Sequence, residues 1–118
     1  MRFVSQSRPL YLHCAHHFPG AGGAIGRVHG HTFVVVARVA SAGLDGYGRG
    51  VDLVALNDAM GAVAFRLDHR DLNELTGAPS MEWIASQVAH EIERRGWELV
   101  SVTVEEPGIG VVELEDRP

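Results

Sequence analysis

Residues 28–40 read Val28-His29-Gly30-His31-Thr32-Phe33-Val34-Val35-Val36-Ala37-Arg38-Val39-Ala40, and the fold is decided here. The density of β-branched side chains specifies an extended strand. Successive side chains of a strand alternate, so His29 and His31 point to the same side. Working outward, residues 18–27 (FPGAGGAIGR) are a glycine-rich loop. Before that loop, residues 9–16 (PLYLHCAH) form a second strand. Its alternation puts Leu10, Leu12, Cys14 and His16 on one face and Tyr11, His13 and Ala15 on the other. If the two strands pair as a hairpin across the loop, the imidazoles of His16, His29 and His31 converge.

Downstream, residues 41–50 (SAGLDGYGRG) are turn chemistry. The period then changes. Leu53, Leu56, Met60, Val63, Ala64 and Leu67 recur at three- and four-residue steps, one stripe of a helix, with Asp52 as its N-cap. Residues 68–79 are a connecting loop. A second helix runs from about Ser80, a capping residue, to Arg95, with Met81, Ile84, Ala85, Val88 and Ile92 on its buried side and Gly96 ending it. Residues 99–106 (LVSVTVEE) and 110–115 (GVVELE) are the last two strands. Val100, Val102, Val104 and Glu106 share one face of the former by period two. The order strand-strand-helix-helix-strand-strand predicts an α+β fold, an antiparallel sheet with two helices on one face. No linker divides it, so residues 1–118 are expected to form one domain.

The 118 residues are 46% hydrophobic and 21% charged, with a formal net charge of -5. This is globular composition, rich enough in apolar residues for one core. No run of Lys or Arg supplies the basic face that nucleic-acid binding requires. No stretch approaches the roughly 18 apolar residues of a membrane span, and the N-terminus lacks the apolar core of a signal peptide. A single cysteine excludes an internal disulfide, so the expected compartment is the cytoplasm.

Seven histidines are unusual in a chain of this length. Three imidazoles with an open fourth position are the catalytic form of a zinc site. Spacing alone also describes the commoner case, a polar strand edge with His16 as a core histidine, and His17 is a second candidate for the third ligand. Asp68 beside His69 can hold an imidazole in one tautomer and poise it as a base, or simply end a helix. Glu106 continues an apolar face, where a carboxylate needs a partner. It either meets the N–H groups of a flat heterocycle or is solvated beyond the strand. His90 has no assigned chemistry.

Several segments carry a family likeness in order. Leu12-His13-Cys14-Ala15-His16 looks like F-x-A-A-H, and Val28-His29-Gly30-His31-Thr32-Phe33 looks like L-H-G-H-x-[YF]. Gly50-Val51-Asp52-Leu53 is similar to the family's opening of its first helix. Leu67-Asp68-His69-Arg70-Asp71-Leu72-Asn73-Glu74 closely matches L-D-H-x-x-L-N-E. Pro79-Ser80-Met81-Glu82 and Val102-Thr103-Val104-Glu105-Glu106 are similar to P-T-x-E and V-x-V-x-E. Together they resemble the 6-pyruvoyl-tetrahydropterin synthase / 6-carboxy-tetrahydropterin synthase family. The resemblance implies a tunnelling fold assembled into an oligomeric barrel. It implies a homohexamer, a dimer of trimers, with active sites at subunit interfaces. It also implies zinc on His16, His29 and His31, Asp68 and His69 as the acid/base pair, and Glu106 as anchor of a pterin ring.

One position departs from the family. Its catalytic cysteine usually lies four residues before the first histidine of H-G-H, where this chain has Ile25. Relatives with Glu at that place cleave the dihydroneopterin side chain, and Ile25 does not match them either. Cys14, the only thiol, stands on the strand face of His16. It is either a nucleophile or proton donor near the metal, or a small buried residue. The expected function is a zinc-dependent lyase or cyclase acting on a reduced pterin such as 7,8-dihydroneopterin triphosphate. The alternatives are a diverged enzyme of specialised metabolism acting on a non-pterin carbonyl substrate, and a non-catalytic zinc- or ligand-binding homologue. The partners expected are a small-molecule substrate and further copies of the chain, with no nucleic acid and no membrane.

Overall fold

The computed structural model describes residues 1–117. The elements run β1 (Phe3–Gln6), β2 (Leu10–His16), β3 (His29–Ser41), α1 (Leu53–Leu67), α2 (Met81–Arg94), β4 (Glu98–Glu106) and β5 (Gly110–Glu115). Single 3-10 turns occur at Ala24–Gly26 and Leu72–Glu74. All pairings are antiparallel, in one sheet with β3 as its spine. One edge of β3 carries β4. The other is shared, with β2 along His29–Val35 and β1 along Arg38–Ser41.

The short β1 adds to the expected element order. Its residues are mostly exposed, so no burial period marks it. Ser7 joins the two edge segments. Its N–H donates to the Ala37 carbonyl at 2.8 Å, and its Oγ accepts from the Ala37 N–H at 3.0 Å. A side-chain oxygen thus continues the ladder where the edge strand breaks before Pro9, which has no N–H to give.

Both helices start where capping chemistry places them. The Asp52 carboxylate accepts from the N–H groups of Val54 and Ala55, and Ser80 Oγ accepts from Trp83 N–H. Gly96, at φ +89°, ends α2 in the left-handed conformation that favours glycine. Leu56, Met60, Val63 and Leu67 of α1 and Ile84, Val88 and Ile92 of α2 close over Leu12, Phe33, Val35, Val102 and Val104 of the sheet. Each of these fully buried side chains contributes roughly 1.5–3 kcal/mol. Leu53 lies on the α1 stripe by angle, but it sits in the first turn and is exposed. In β4, Arg38 pairs with Ser101 while Val39 pairs with Leu99, leaving Val100 as an extra residue. This bulge interrupts the alternation. Leu99 therefore joins Val102 and Val104 in the core, and Val100 does not share their face.

Glu91 is the buried charge of α2, its side chain 3% exposed. Arg66 of α1, Arg94 and Arg95 all donate to its carboxylate, the Arg95 contact at 2.8 Å. The Arg95 hydrogen bond, with those of Arg94 and Arg66, outweighs burial and brings the Glu91 pKa down to about 2 from 4.5. A depressed carboxylate stabilises the fold fully above its unfolded value and loses that contribution as pH falls toward its folded one. Glu91→Gln is expected to cost about 3 kcal/mol at pH 7. Urea midpoints should show wild type and variant converging as pH falls from about 4.5 toward about 2. A gap independent of pH contradicts the arginine clamp.

Candidate functional site

The pairing of β2 with β3 sets His16 opposite His29 and Cys14 opposite His31. All three histidines stand at the far end of the helix-covered face. Their ring centroids lie 4.6 Å (His16–His29), 4.9 Å (His16–His31) and 4.6 Å (His29–His31) apart. One ring nitrogen from each falls within 4.8 Å of the others, the one group of this kind among the described residues. His17 is not in it. The strand turns the side chain of His16 inward to the other two histidines, while the His17 backbone pairs with Asn73.

The second nitrogen of each ring explains the arrangement. His16 Nδ1 lies 2.7 Å from the Pro79 carbonyl, and His29 Nδ1 lies 2.7 Å from the Arg27 carbonyl. His31 Nδ1 lies 2.7 Å from Glu106 Oε1. Carbonyl and carboxylate oxygens only accept, so each Nδ1 carries the proton and donates it. In the neutral ring each Nε2 is then left with a free lone pair. That of His16 is buried and has no hydrogen-bond partner. An orphaned acceptor of this kind is costly unless something fills the site. Burial pushes the His31 pKa below its ordinary value; Glu106 opposes this, and His16 and His29 add to it. Neutral imidazole with its other N–H tied to an acceptor is the metal-ligating form. Three such nitrogens suit zinc, with one coordination position left over.

The histidines open into a cleft of about 480 Å³ lined by Phe18, Ala24, Ile25, Ser80, Met81, Glu82, Glu106 and Ile109. The cleft walls include no arginine or lysine. Ile25 is held there by the glycine loop, whose Phe18 N–H donates to the Ile25 carbonyl at 2.8 Å. Gly26 is required at the close of that loop, since a Cβ would stand 1.9 Å from the Ala21 oxygen. Glu106 keeps the inward face expected from Val102 and Val104, but one of its oxygens is engaged by His31.

Asp68 and His69 lie elsewhere. The turn after α1 runs along the outer edge of β2. His13 N–H donates to Asp68 Oδ1 (2.8 Å), His69 N–H to the His13 carbonyl (2.7 Å) and Ala15 N–H to the Arg70 carbonyl (2.9 Å). Asn73 closes this zipper by holding His17 N–H and carbonyl, at 2.9 and 3.0 Å. Residues 68–79, expected as a plain loop, are thus partly an edge added to the sheet. His69 adopts φ +57°, and its Nε2 lies 3.6 Å from Asp68 Oδ2. Its ring stands 5.6 Å from that of His13, which β2 directs away from His16. The structure therefore unites the three histidines with Glu106 and sets His69 beside Asp68, in a second hollow that shares only His31 with the first. His13 is the residue that the sequence reading passed over. Its signal was the odd offset from His16, which sends it to the open face.

Cys14 is 5% exposed and donates its S–H to the Leu67 carbonyl at 3.3 Å. Burial, with the Asp68 charge, pushes the thiol up to about 11. The geometry suits a small buried residue packed under the end of α1.

The sequence pattern of 6-pyruvoyl tetrahydropterin synthase matches residues 7–116. The fold is shared with the Caenorhabditis elegans 6-pyruvoyl tetrahydropterin synthase at TM-score 0.81 and 19% identity, over 99% of this chain and 97% of that one. The Plasmodium vivax 6-pyruvoyltetrahydropterin synthase superposes at TM-score 0.67 and 16% identity, over 100% and 99% of the chains. An uncharacterized protein from Wolinella succinogenes does so at 0.75 and 15%, over 99% of each. No curated protein matches the chain in sequence.

Removing the partner of a ligand's N–H typically weakens metal binding by about 10–100-fold. Glu106→Ala is expected to lower zinc affinity in that range, read by competition with a chromophoric chelator. Unchanged affinity contradicts the coupling of Glu106 to His31.

Proposed function

The chain belongs to the 6-pyruvoyl tetrahydropterin synthase family, and from that premise we propose that it is a zinc-dependent lyase or cyclase acting on a reduced pterin such as 7,8-dihydroneopterin triphosphate or a related compound. One observation carries the reading. One ring nitrogen of each of the three histidines converges at a cleft, each Nδ1 faces an oxygen acceptor, and His16 Nε2 is buried without a partner. His16, His29 and His31 would hold the ion. When bound there, zinc supplies Lewis-acid polarisation of substrate oxygens. The second carboxylate oxygen of Glu106 accepts from the N–H groups of the ring. His69, oriented by Asp68, moves a proton.

These roles call for more than one copy of the chain, because His69 stands beside His13 on the open face while His16 is buried on the helix-covered one. The proposed assembly is the homohexamer of the family, a dimer of trimers, in which Asp68 and His69 of one copy approach the histidines of another. The open sheet face supports it. Tyr11 and Val111 are exposed there, and no helix covers Val34 and Val36. No helix among the described residues is long and apolar enough to cross a membrane, and the proposed setting is the cytoplasm.

A second reading keeps zinc and the Asp68–His69 pair but changes the substrate to a non-pterin carbonyl compound. Ile25 favours it. An inert, half-exposed apolar side chain stands where the family has its cysteine, and Phe18, Met81 and Ile109 extend that apolar wall.

Two variants test the assignment. His29→Ala is expected to lose stoichiometric zinc by elemental analysis; retained metal contradicts the ligand set. His69→Ala is expected to keep zinc and lower turnover of 7,8-dihydroneopterin or its triphosphate by about 10²–10⁴-fold. Turnover at the wild-type rate refutes its role as acid or base.

A further inference from the structure

We propose that His13 is a second acid/base group of the active site, paired with His69. The inference rests on the lyase reading above and deepens it. A proton rearrangement beside a polarised C=N or C=O bond needs one group to take a proton and another to give one. Asp68 and His69 account for one of them. The usual second group of the family is missing, because Ile25 has no proton to transfer. Cys14 cannot stand in for it, being buried with its S–H committed to the Leu67 carbonyl.

His13 has the geometry that Cys14 lacks. It is exposed on the open face of β2, and its ring lies 5.6 Å from that of His69 at an interplanar angle of 35°. Both rings line one hollow of about 520 Å³, with Thr32, Arg70 and Asp71. His13 Nδ1 lies 3.0 Å from Thr32 Oγ1, which fixes the ring and leaves Nε2 free. The backbones are locked together as well. Asp68 Oδ1 accepts from the His13 N–H, and the His13 carbonyl accepts from the His69 N–H. That second bond holds His69 at φ +57°, a conformation rare for residues other than glycine. The same carboxylate thus bonds the backbone of one histidine and faces the ring of the other.

The step balances as a proton shift. Neutral His69 takes a proton from the side-chain carbon attached to the C=N bond of the dihydropterin ring. The C–H electron pair becomes the new C=C bond, and the C=N π pair moves to nitrogen. His13, as imidazolium, gives a proton to that nitrogen. The enamine is neutral, His69 ends protonated and His13 neutral, and exchange with solvent restores both.

The test uses the zinc-loaded protein with 7,8-dihydroneopterin and its triphosphate as probes. Variants are His13→Ala, His13→Gln and, as reference, His69→Ala. Gln retains a hydrogen bond to Thr32 but carries no transferable proton. Both His13 variants are expected to lose about 100-fold in kcat with KM within twofold and zinc content unchanged. Added imidazole is expected to restore at least a tenth of the lost rate in His13→Ala. Wild-type kcat in His13→Gln, with His69→Ala inactive, overturns the role of His13 and leaves the lyase reading intact. Loss in His13→Ala alone, without imidazole rescue, shows packing and overturns it too. A wild-type protein that turns over neither probe overturns the pterin reading, and this inference with it.

Discussion

The register between β2 and β3 is the constraint on which everything else rests. Side chains of a strand alternate, so a slip of one residue would turn every inward group outward. Leu12 would leave the core, and His16 would leave His29 and His31. Leu12 and Phe33 are opposite each other and fully buried, so the apolar pairing that stabilises the sheet also aligns the three imidazoles. The outer edge of β2 is fixed just as firmly. Asp68, His69, Arg70 and Asn73 pair with it at His13, Ala15 and His17. The segment after α1 is therefore a brace for the strand that carries His16 as well as a source of titratable groups.

A single strand consequently serves two sides of the sheet. His16 and His13 are an odd number of residues apart, so one faces the cleft and the other the open face. The nitrogens of His16, His29 and His31 gather beneath the N-terminus of α2, and His13, Asp68 and His69 gather along the outer edge. In the proposed assembly, a site that joins them draws on two copies of the chain. The bonds that orient the ligands are local by contrast. Two of the three acceptors are main-chain carbonyls, Arg27 and Pro79, positioned by the loops that flank β3 and α2.

Most of the architecture was legible in the residues because each element states its own period. The valines of β3, the three-and-four spacing of α1 and α2, and the caps Asp52, Ser80 and Gly96 all agree with the structure. The misses have physical causes. Phe3–Gln6 is too short and too exposed to show a period, and the β4 bulge at Val100 breaks an alternation that the sequence alone carries through. Glu91 lies seven residues after Ile84, on the buried side of α2, and its charge finds partners there only because Arg66 arrives from another helix. At the site, spacing found the three histidines but could not choose between His16 and His17, since that depends on where the strand ends. It could not find the Arg27 and Pro79 carbonyls, because backbone oxygens leave no residue signature. It also could not separate His69 from the three histidines, which follows from sheet face and not from sequence distance.

The central claim is a three-imidazole zinc centre with an open position, built by that register. X-ray absorption at the zinc edge on the zinc-loaded protein tests it most directly. The account predicts three imidazole nitrogens at about 2.0–2.1 Å and one light, exchangeable fourth ligand. A sulfur in the shell, or a shell without three imidazoles, would contradict it.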